Sequence, residues 1–369
     1  MQPTTDQLLQ VVIYGANTSG KDLVVRLVRQ FLDSADLTYE LRDSQDVGEF
    51  IRKKLQSVPA IEADGVIYPL KENGSFSKSL RGALNAMLSK SNYGNMDKIV
   101  VPVDFTPVST NAFMYAHRLA TDLHAVTKAV HVYCPSSTEL VAATKEVGID
   151  LEVNRQQQLQ HFISQFDVDW GSDILQVSLI DSELRTGFPV EEILHSVEEN
   201  GAKMIVMGTT GDSGWNKKWL GSVSTELLEL APAPLLLVPA AARYVGVSDI
   251  LYAYDDISLD KKVMPALVDF ARNSGANIHL VHVDMPGSPP DTGYSLQQFV
   301  QGLYPAHKVI TSSVTSTDVS SAILEYAVTN KISIVSVAAK GESFFHNLMH
   351  RSTTQSLGLY SELPLLVMH

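Results

Sequence analysis

A chain of 369 residues exceeds the roughly 100 to 200 residues of one compact domain, so two or three domains are expected. An apolar share of 45% with 19% charged residues belongs to an ordinary globular protein and excludes wholesale disorder. The net charge of −13 excludes a general nucleic-acid ligand, because phosphates demand a basic surface. A phosphate group would have to be held locally, by backbone N–H groups or a few placed lysines.

In chain order, an apolar strand at Val11–Tyr14 precedes an amphipathic helix, LVVRLVRQFL, with apolar residues at helical spacing. A second alternating segment covers Leu37–Leu41, and SVPAIEADGVIY predicts a strand pair around the Asp64-Gly65 turn. This small α/β unit ends in the polar run Ser89–Asn95, a linker, which bounds a first domain at residues 1–94. The uninterrupted apolar runs, such as Leu235–Val238 and Leu365–Met368, are strand-sized, whereas a membrane span needs about 20 residues. No membrane partner is expected. The start, MQPTTDQLLQ, lacks the basic and apolar parts of an export signal, and the lone Cys134 fits a reducing compartment, so a cytoplasmic location is expected.

From Lys98 the pattern restarts: strand DKIVVPVD, a helix from about Ser109 to Leu123 and strand AVHVY, then a helix-forming stretch. Strand SDILQVSLI, helix PVEEILHSVEEN, strand KMIVMG, a loop, helix STELLELA and strand PLLLVP follow. Near-continuous apolar runs indicate strands buried on both faces of a parallel sheet. The order then repeats. DILYAYDD parallels KIVVPVDF, NIHLVHVD parallels TKAVHVY, and PLLVMH closes the chain as PLLLVP closed the earlier unit. The first copy carries about 21 extra residues between its second and third strands. Two homologous domains are therefore expected, at residues 97–243 and 248–369.

After KMIVMG the sequence runs GTTGDSGWNKKWLGSVS: Gly208, two residues, Gly211, nine residues, then Gly221-Ser222. Gly208 and Gly211 would let the chain turn sharply at the strand's carboxyl end, where positive φ and close approach to a ligand disfavour a Cβ. Gly221, Ser222 and Ser224 open the next helix, whose first N–H groups lack internal partners and face outward with the positive end of the helix dipole. Open parallel sheets bind ligands at the carboxyl ends of strands, near the reversal of strand order.

These residues resemble the G-x2-G-x9-G-[ST] signature of the ATP-binding universal stress proteins, complete in letters and spacing. The likeness extends over residues 97–240, through the P-x-D-x-[ST] end of the first strand (Pro102, Asp104), the HV end of the second (Val132) and the G-x-P-x-E-E-I helix start near Gly187. The resemblance implies an open-twisted parallel sheet of the adenine nucleotide alpha hydrolase-like type. It implies Asp104 and Val132, the latter through its main chain, at the adenine and ribose. Gly208, Gly211 and Gly221 would surround the phosphates and Ser222 would hydrogen-bond them, with Pro102, Met207, Val223 and Ser224 completing the site. The implied ligand is ATP, or ADP or AMP, with Mg2+ as the accompanying cation. Each residue has a plainer reading. Asp104 forms a local turn or helix cap; Val132 is core; Lys217 and Lys218 are solvated; Trp215 and Trp219 pin the loop.

The second copy departs from the signature: Ala338 replaces the first glycine, Gly341 keeps the second, and Arg351-Ser352 replaces Gly-Ser. An arginine there would crowd a phosphate, so this site is expected to be empty or altered, although Asp255 matches Asp104. His346 and His350 have a metal-like spacing without a third ligand, and no metal site is expected.

Gly15 to Lys21 has P-loop spacing, but Asp22 stands where Ser or Thr would hold magnesium and its carboxylate would repel phosphates. Residues 1–90 instead resemble the thioredoxin and glutaredoxin fold, with Ser57-Val58-Pro59-Ala60-Ile61 as its Val-Pro loop. Ser19-Gly20-Lys21-Asp22 fills the C-x-x-C slot, so disulfide exchange is excluded and a binding or dimerising module is implied. Universal stress proteins pair through their last strands; here Leu235–Val238 and Leu365–Met368 would pair within one chain as an internal pseudo-dimer, with a homodimer as a further assembly. No catalytic residue set emerges. The expected function is adenine-nucleotide-dependent stress sensing or signalling. A slow ATPase or phosphotransferase with Ser222 or Ser224 as acceptor, and a non-nucleotide interaction protein, stand as alternatives.

Overall fold

The computed structural model describes residues 9–15, 19–34, 39–55, 59–63, 65–70, 97–134, 145–166, 179–209, 221–255, 257–284, 286–287, 294–339 and 362–369. The chain divides into two compact units. One is Met1–Met96 with His124–Val126 and Gln160–Asp181; the other is Asp97–Leu123 with Thr127–Leu159 and Ser182–His369.

The first unit begins with β1 (Leu9–Tyr14), α1 (Ser19–Ser34), β2 (Tyr39–Ser44), α2 (Val47–Arg52), β3 (Ala60–Ala63) and β4 (Val66–Pro69). Its sheet order is β2-β1-β3-β4. β1 runs parallel to β2 and antiparallel to β3, and β3 pairs antiparallel with β4. Gly65, at φ +80, supplies the left-handed turn between the last two. Val24, Val28 and Leu32, at successive i+4 positions of α1, pack with Val11, Ile13 and Ile61 into one core. The second strand sits later than its apolar letters suggest, because pairing Leu9 with Tyr39 and Tyr14 with Ser44 carries it through Arg42 and Asp43. As an edge strand it tolerates polar residues that an interior strand would not.

From residue 97 the chain forms β5 (Lys98–Pro102), α3 (Pro107–Asp122), β6 (Val126–Tyr133), α4 (Lys145–Phe166), β7 (Leu179–Thr186), α5 (Pro189–Asn200), β8 (Met204–Gly208), α6 (Ser222–Leu230) and β9 (Leu235–Val238), all in the second unit except Val126, the end of α4 from Gln160 and the start of β7 as far as Asp181. It continues with β10 (Asp249–Ala253), α7 (Ile257–Ser274), β11 (Asn277–Asp284), α8 (Tyr294–Leu303), β12 (Val309–Thr315), α9 (Val319–Thr329), β13 (Ile334–Ala338) and β14 (Leu365–Met368). One sheet carries these strands in the order β12-β11-β10-β13-β14-β9-β8-β5-β6-β7. Read outward from the middle, the two halves have the same order. At the middle β14 and β9 pair antiparallel, with Leu366 opposite Leu236. Every residue of Leu235–Val238 and of Leu366–Met368 is wholly buried. The core on one face runs continuously through both halves, joining Ile193 and Leu227 to Leu237, Val367, Val335 and Ile323.

Residues 172–178 of the expected SDILQVSLI strand fall outside the described residues; its last two, Leu179 and Ile180, open β7, which runs on to Thr186. That continuation includes Glu183 and Arg185, and Arg185 pairs with Glu183, Glu192 and Glu199. On a sheet edge, ion pairs to α5 replace the apolar packing that a periodicity reading seeks.

Candidate functional site

The chain reverses its direction of sheet growth between β5 and β8: β5, β6 and β7 extend one way, β8 and β9 the other. A parallel sheet opens a crevice at the carboxyl ends of the two strands flanking such a reversal. β5 and β8 run parallel, and the amide of Val103 donates to Val130 O at 2.9 Å, so the ends of β5, β8 and β6 come together.

Pro102, half-buried, ends β5. Asp104 follows in an exposed turn, where its Oδ1 accepts from Thr106 N at 3.1 Å and Thr106 Oγ1 at 2.6 Å. Thr106 in turn caps α3 by accepting from Ser109 N at 3.2 Å, with Pro107 at the first helical position. Partial burial opposes charge on Asp104, but hydrogen bonds from Ser109 and Thr106 outweigh it and hold the carboxyl below the usual range. The plainer reading of Asp104 as a turn-former therefore has a geometric basis, and that role fixes an anionic carboxylate at the crevice edge. Val132 is half-buried with its side chain against the core. That leaves its main chain as the part available to a ligand.

Met207 is buried and Gly208 ends β8. Gly208 does not have the positive φ expected of a sharp turn. A Cβ there would stand 2.6 Å from Val108 Cγ1 and 2.9 Å from Val108 O, so close approach to the start of α3 is what requires glycine. Gly208→Ala is expected to destabilise the protein by about 1–3 kcal/mol, because a carbonyl cannot step aside as a side chain can. A thermal melt of the variant checks this. Gly211 lies outside the described residues, as do Lys217, Lys218, Trp215 and Trp219.

Gly221 is the N-cap of α6, at φ −70 and ψ 168, with no side-chain capping bond. The first turn of this helix carries no acidic residue. Among the described residues no side chain caps these first N–H groups, and the helix dipole there favours an anion. Ser222 is exposed, Val223 is half-buried against the core, and Ser224 is buried. Of the two serines named as phosphate acceptors, only Ser222 is accessible. The arrangement fits a polyanion: a helix N-terminus without a side-chain cap, no carboxylate in its first turn and no side chain on the cap residue. Among the described residues no group of three His, Cys, Asp or Glu side chains is placed to hold a metal ion.

Three residues absent from the sequence reading bear on this site. His131, buried on β6, has Nδ1 2.8 Å from Val103 O. Phe105, at φ +65, lays its ring 4.4 Å from the His131 ring. Arg155 on α4 stands 5.0 Å over the Tyr133 ring. The signal for His131 was the recurrence of His-Val in both repeats, at His131 and His282; nothing in the letters marks the other two.

In the second half Asp255 is exposed and Ala338 buried, while Gly341, Arg351, Ser352, His346 and His350 lie outside the described residues. In the first unit Lys21 is 1% exposed and forms an ion pair with Asp43 at 2.7 Å. The lysine of the P-loop-like segment is committed to a carboxylate, which agrees with rejecting a phosphate site there. Ser57, Val58 and Asp64 lie outside the described residues.

The fold is that of an open α/β protein whose sheet is parallel apart from the β9–β14 seam and the strand order of which reverses between β5 and β8. The model of the universal stress protein family matches residues 95–239. A universal stress protein of Methanocaldococcus jannaschii is 31% identical over 143 residues, 38% of this chain and 81% of that protein. The chain belongs to the universal stress protein family. One from Synechocystis is 22% identical over 298 residues, 73% of this chain and 99% of that one. The crystal structure of a universal stress protein from Archaeoglobus fulgidus has a TM-score of 0.56 at 17% identity, covering 74% of this chain and 98% of its own. No helix among the described residues is long and apolar enough to cross a membrane.

Proposed function

We propose that the first half of the larger unit binds ATP, or another adenine nucleotide such as ADP or AMP, and that the chain acts in stress sensing or signalling in the cytoplasm. The observation that carries this reading is the uncapped N-terminus of α6 at Gly221, beside a strand reversal whose other flank presents the Asp104 carboxylate. Asp104 would accept from the ribose hydroxyls and the Val132 main chain would meet the adenine edge. Gly208, Gly211, Gly221 and Ser222 would cradle the phosphates, lined by Pro102, Met207, Val223 and Ser224. Mg2+ would be held by phosphate oxygens and water, in keeping with its preference for few protein ligands.

The two halves are read as tandem universal stress domains joined through β9 and β14 as an internal pseudo-dimer. Their matching strand order and the 298-residue span of the Synechocystis alignment support this. The first unit is read as a thioredoxin-like module. Its support is the order β2-β1-β3-β4, a parallel pair followed by an antiparallel one. Because Cys134 is the chain's one cysteine, that module would bind partners, including a second copy, and exchange no disulfides.

Mass spectrometry of the small molecule that co-purifies, with calorimetric titration of ATP, tests the reading. Asp104→Ala is expected to weaken ATP about 10- to 100-fold, since a hydrogen bond to a charged group contributes about 1.5–3 kcal/mol. Unchanged affinity in that variant would remove Asp104 from the site. Steady phosphate release by the wild type, lost in Ser222→Ala, would instead favour a phosphotransferase.

A further inference from the structure

We propose that His131 is the positioning residue of this site: its Nδ1–H clasps the ends of β5 and β6, setting the Asp104 carboxylate and the Val132 main chain at the spacing one adenosine requires. The inference rests on the nucleotide reading above. Val103 O only accepts, so the 2.8 Å contact makes Nδ1 the protonated nitrogen. The acceptor residue immediately precedes Asp104, and the donor residue immediately precedes Val132. One hydrogen bond therefore joins the two chain segments that the ligand would span.

The rest of the ring's surroundings suit a fixed clasp. Nε2 is buried and has no hydrogen-bond partner among the described residues. Among the described residues the buried ring thus makes its hydrogen bond through Nδ1. The Phe105 ring lies against the imidazole, tilted by 43°, and Phe105 holds a left-handed backbone that side chains disfavour. That ring contact anchors the turn between Asp104 and Thr106. The second half repeats the device: His282 Nδ1 lies 3.0 Å from Tyr254 O, Tyr254 immediately precedes Asp255, and the Tyr254 and His282 rings are 5.2 Å apart. The clasp is thus built into the strand pair, and in the first half it carries both proposed adenosine contacts.

Protonation would place a second N–H on the buried side of the ring. Burial resists that proton most; the bond to Val103 O and the Asp104 carboxylate favour it, Arg155 opposes it, and the balance lowers the His131 pKa. The clasp should therefore hold at neutral pH and loosen in acid.

ATP titration of the full chain tests this with paired variants. In His131→Asn the amide nitrogen occupies the place of Nδ1 and keeps the clasp; in His131→Gln it reaches the place of Nε2 and loses it. His131→Gln is expected to weaken ATP at least about tenfold at about pH 7.5, and His131→Asn to stay within about threefold of wild type. Wild-type affinity should fall more steeply in acid than that of the Asn variant, in which the ligand's phosphate still titrates but residue 131 cannot. His282→Gln, the same change in the other half, should bind ATP as the wild type does. Wild-type binding with equal affinity in His131→Gln overturns the inference, as does an identical acid profile in His131→Asn. A wild type that binds no adenine nucleotide is a different result and overturns the nucleotide reading, with the inference built on it. Should His131→Gln fail to fold, the Asn pH profile decides alone.

Discussion

Gly221→Arg is expected to lower ATP affinity by roughly 100-fold or more, about 2.7 kcal/mol, while leaving the fold in place. The backbone of Gly221, at φ −70 and ψ 168, lies where every residue is comfortable, so arginine fits the main chain without strain. As an N-cap, glycine contributes through its backbone alone, and its replacement costs at most about 1 kcal/mol of stability. The change falls instead on the ligand, because a long side chain would lie over the first amides of α6, where a phosphate would accept. The chain contains a natural counterpart at the matching position of its second half, Arg351. Calorimetry for affinity and a melt for the fold separate the two effects. An unchanged melt with unchanged affinity would mean that these amides hold no phosphate.

Leu236→Ala and Leu366→Ala are each expected to cost about 2–5 kcal/mol, the range for a truncated core leucine whose cavity relaxes only partly. The two residues are wholly buried and face each other across the antiparallel seam of the ten-stranded sheet. For a unit of this size that corresponds to a melting temperature lower by roughly 4–20 °C. Because the pair is in contact, the double variant should lose less than the sum of the singles by about 0.5–3 kcal/mol. Chemical denaturation of the four proteins in this cycle provides the measurement. Strict additivity would show that the seam does not act as one packed element, and the pseudo-dimer reading would lose its physical support.

Much of the architecture was legible because its strands are buried on both faces. KIVVP, MIVMG and LLLV admit little besides interior strands, and Pro107, Pro189 and Gly201 mark helix ends as their backbone constraints dictate. Edge strands were harder to read. β7 and β2 carry charged residues, Arg185 and Arg42, with partners on the helices α5 and α2, and no alternating apolar pattern announces them. At the site, the motif letters offered two reasons for Gly208, positive φ and close approach, and the structure gives it a close approach without a positive φ. Its backbone is ordinary, and the demand comes from Val108, a hundred residues away in sequence.

By itself, then, the sequence determined the periodicity of the elements, their internal repetition and the type of residue offered at each strand end, all of which are local properties of spacing and side-chain chemistry. The tertiary structure decided which strand ends meet. It set the reversal between β5 and β8, the antiparallel register of β14 on β9, whose pairing the family resemblance had led one to expect, and the bond from His131 to Val103 O. Those depend on register and close approach between distant segments, and a linear pattern carries no term for either.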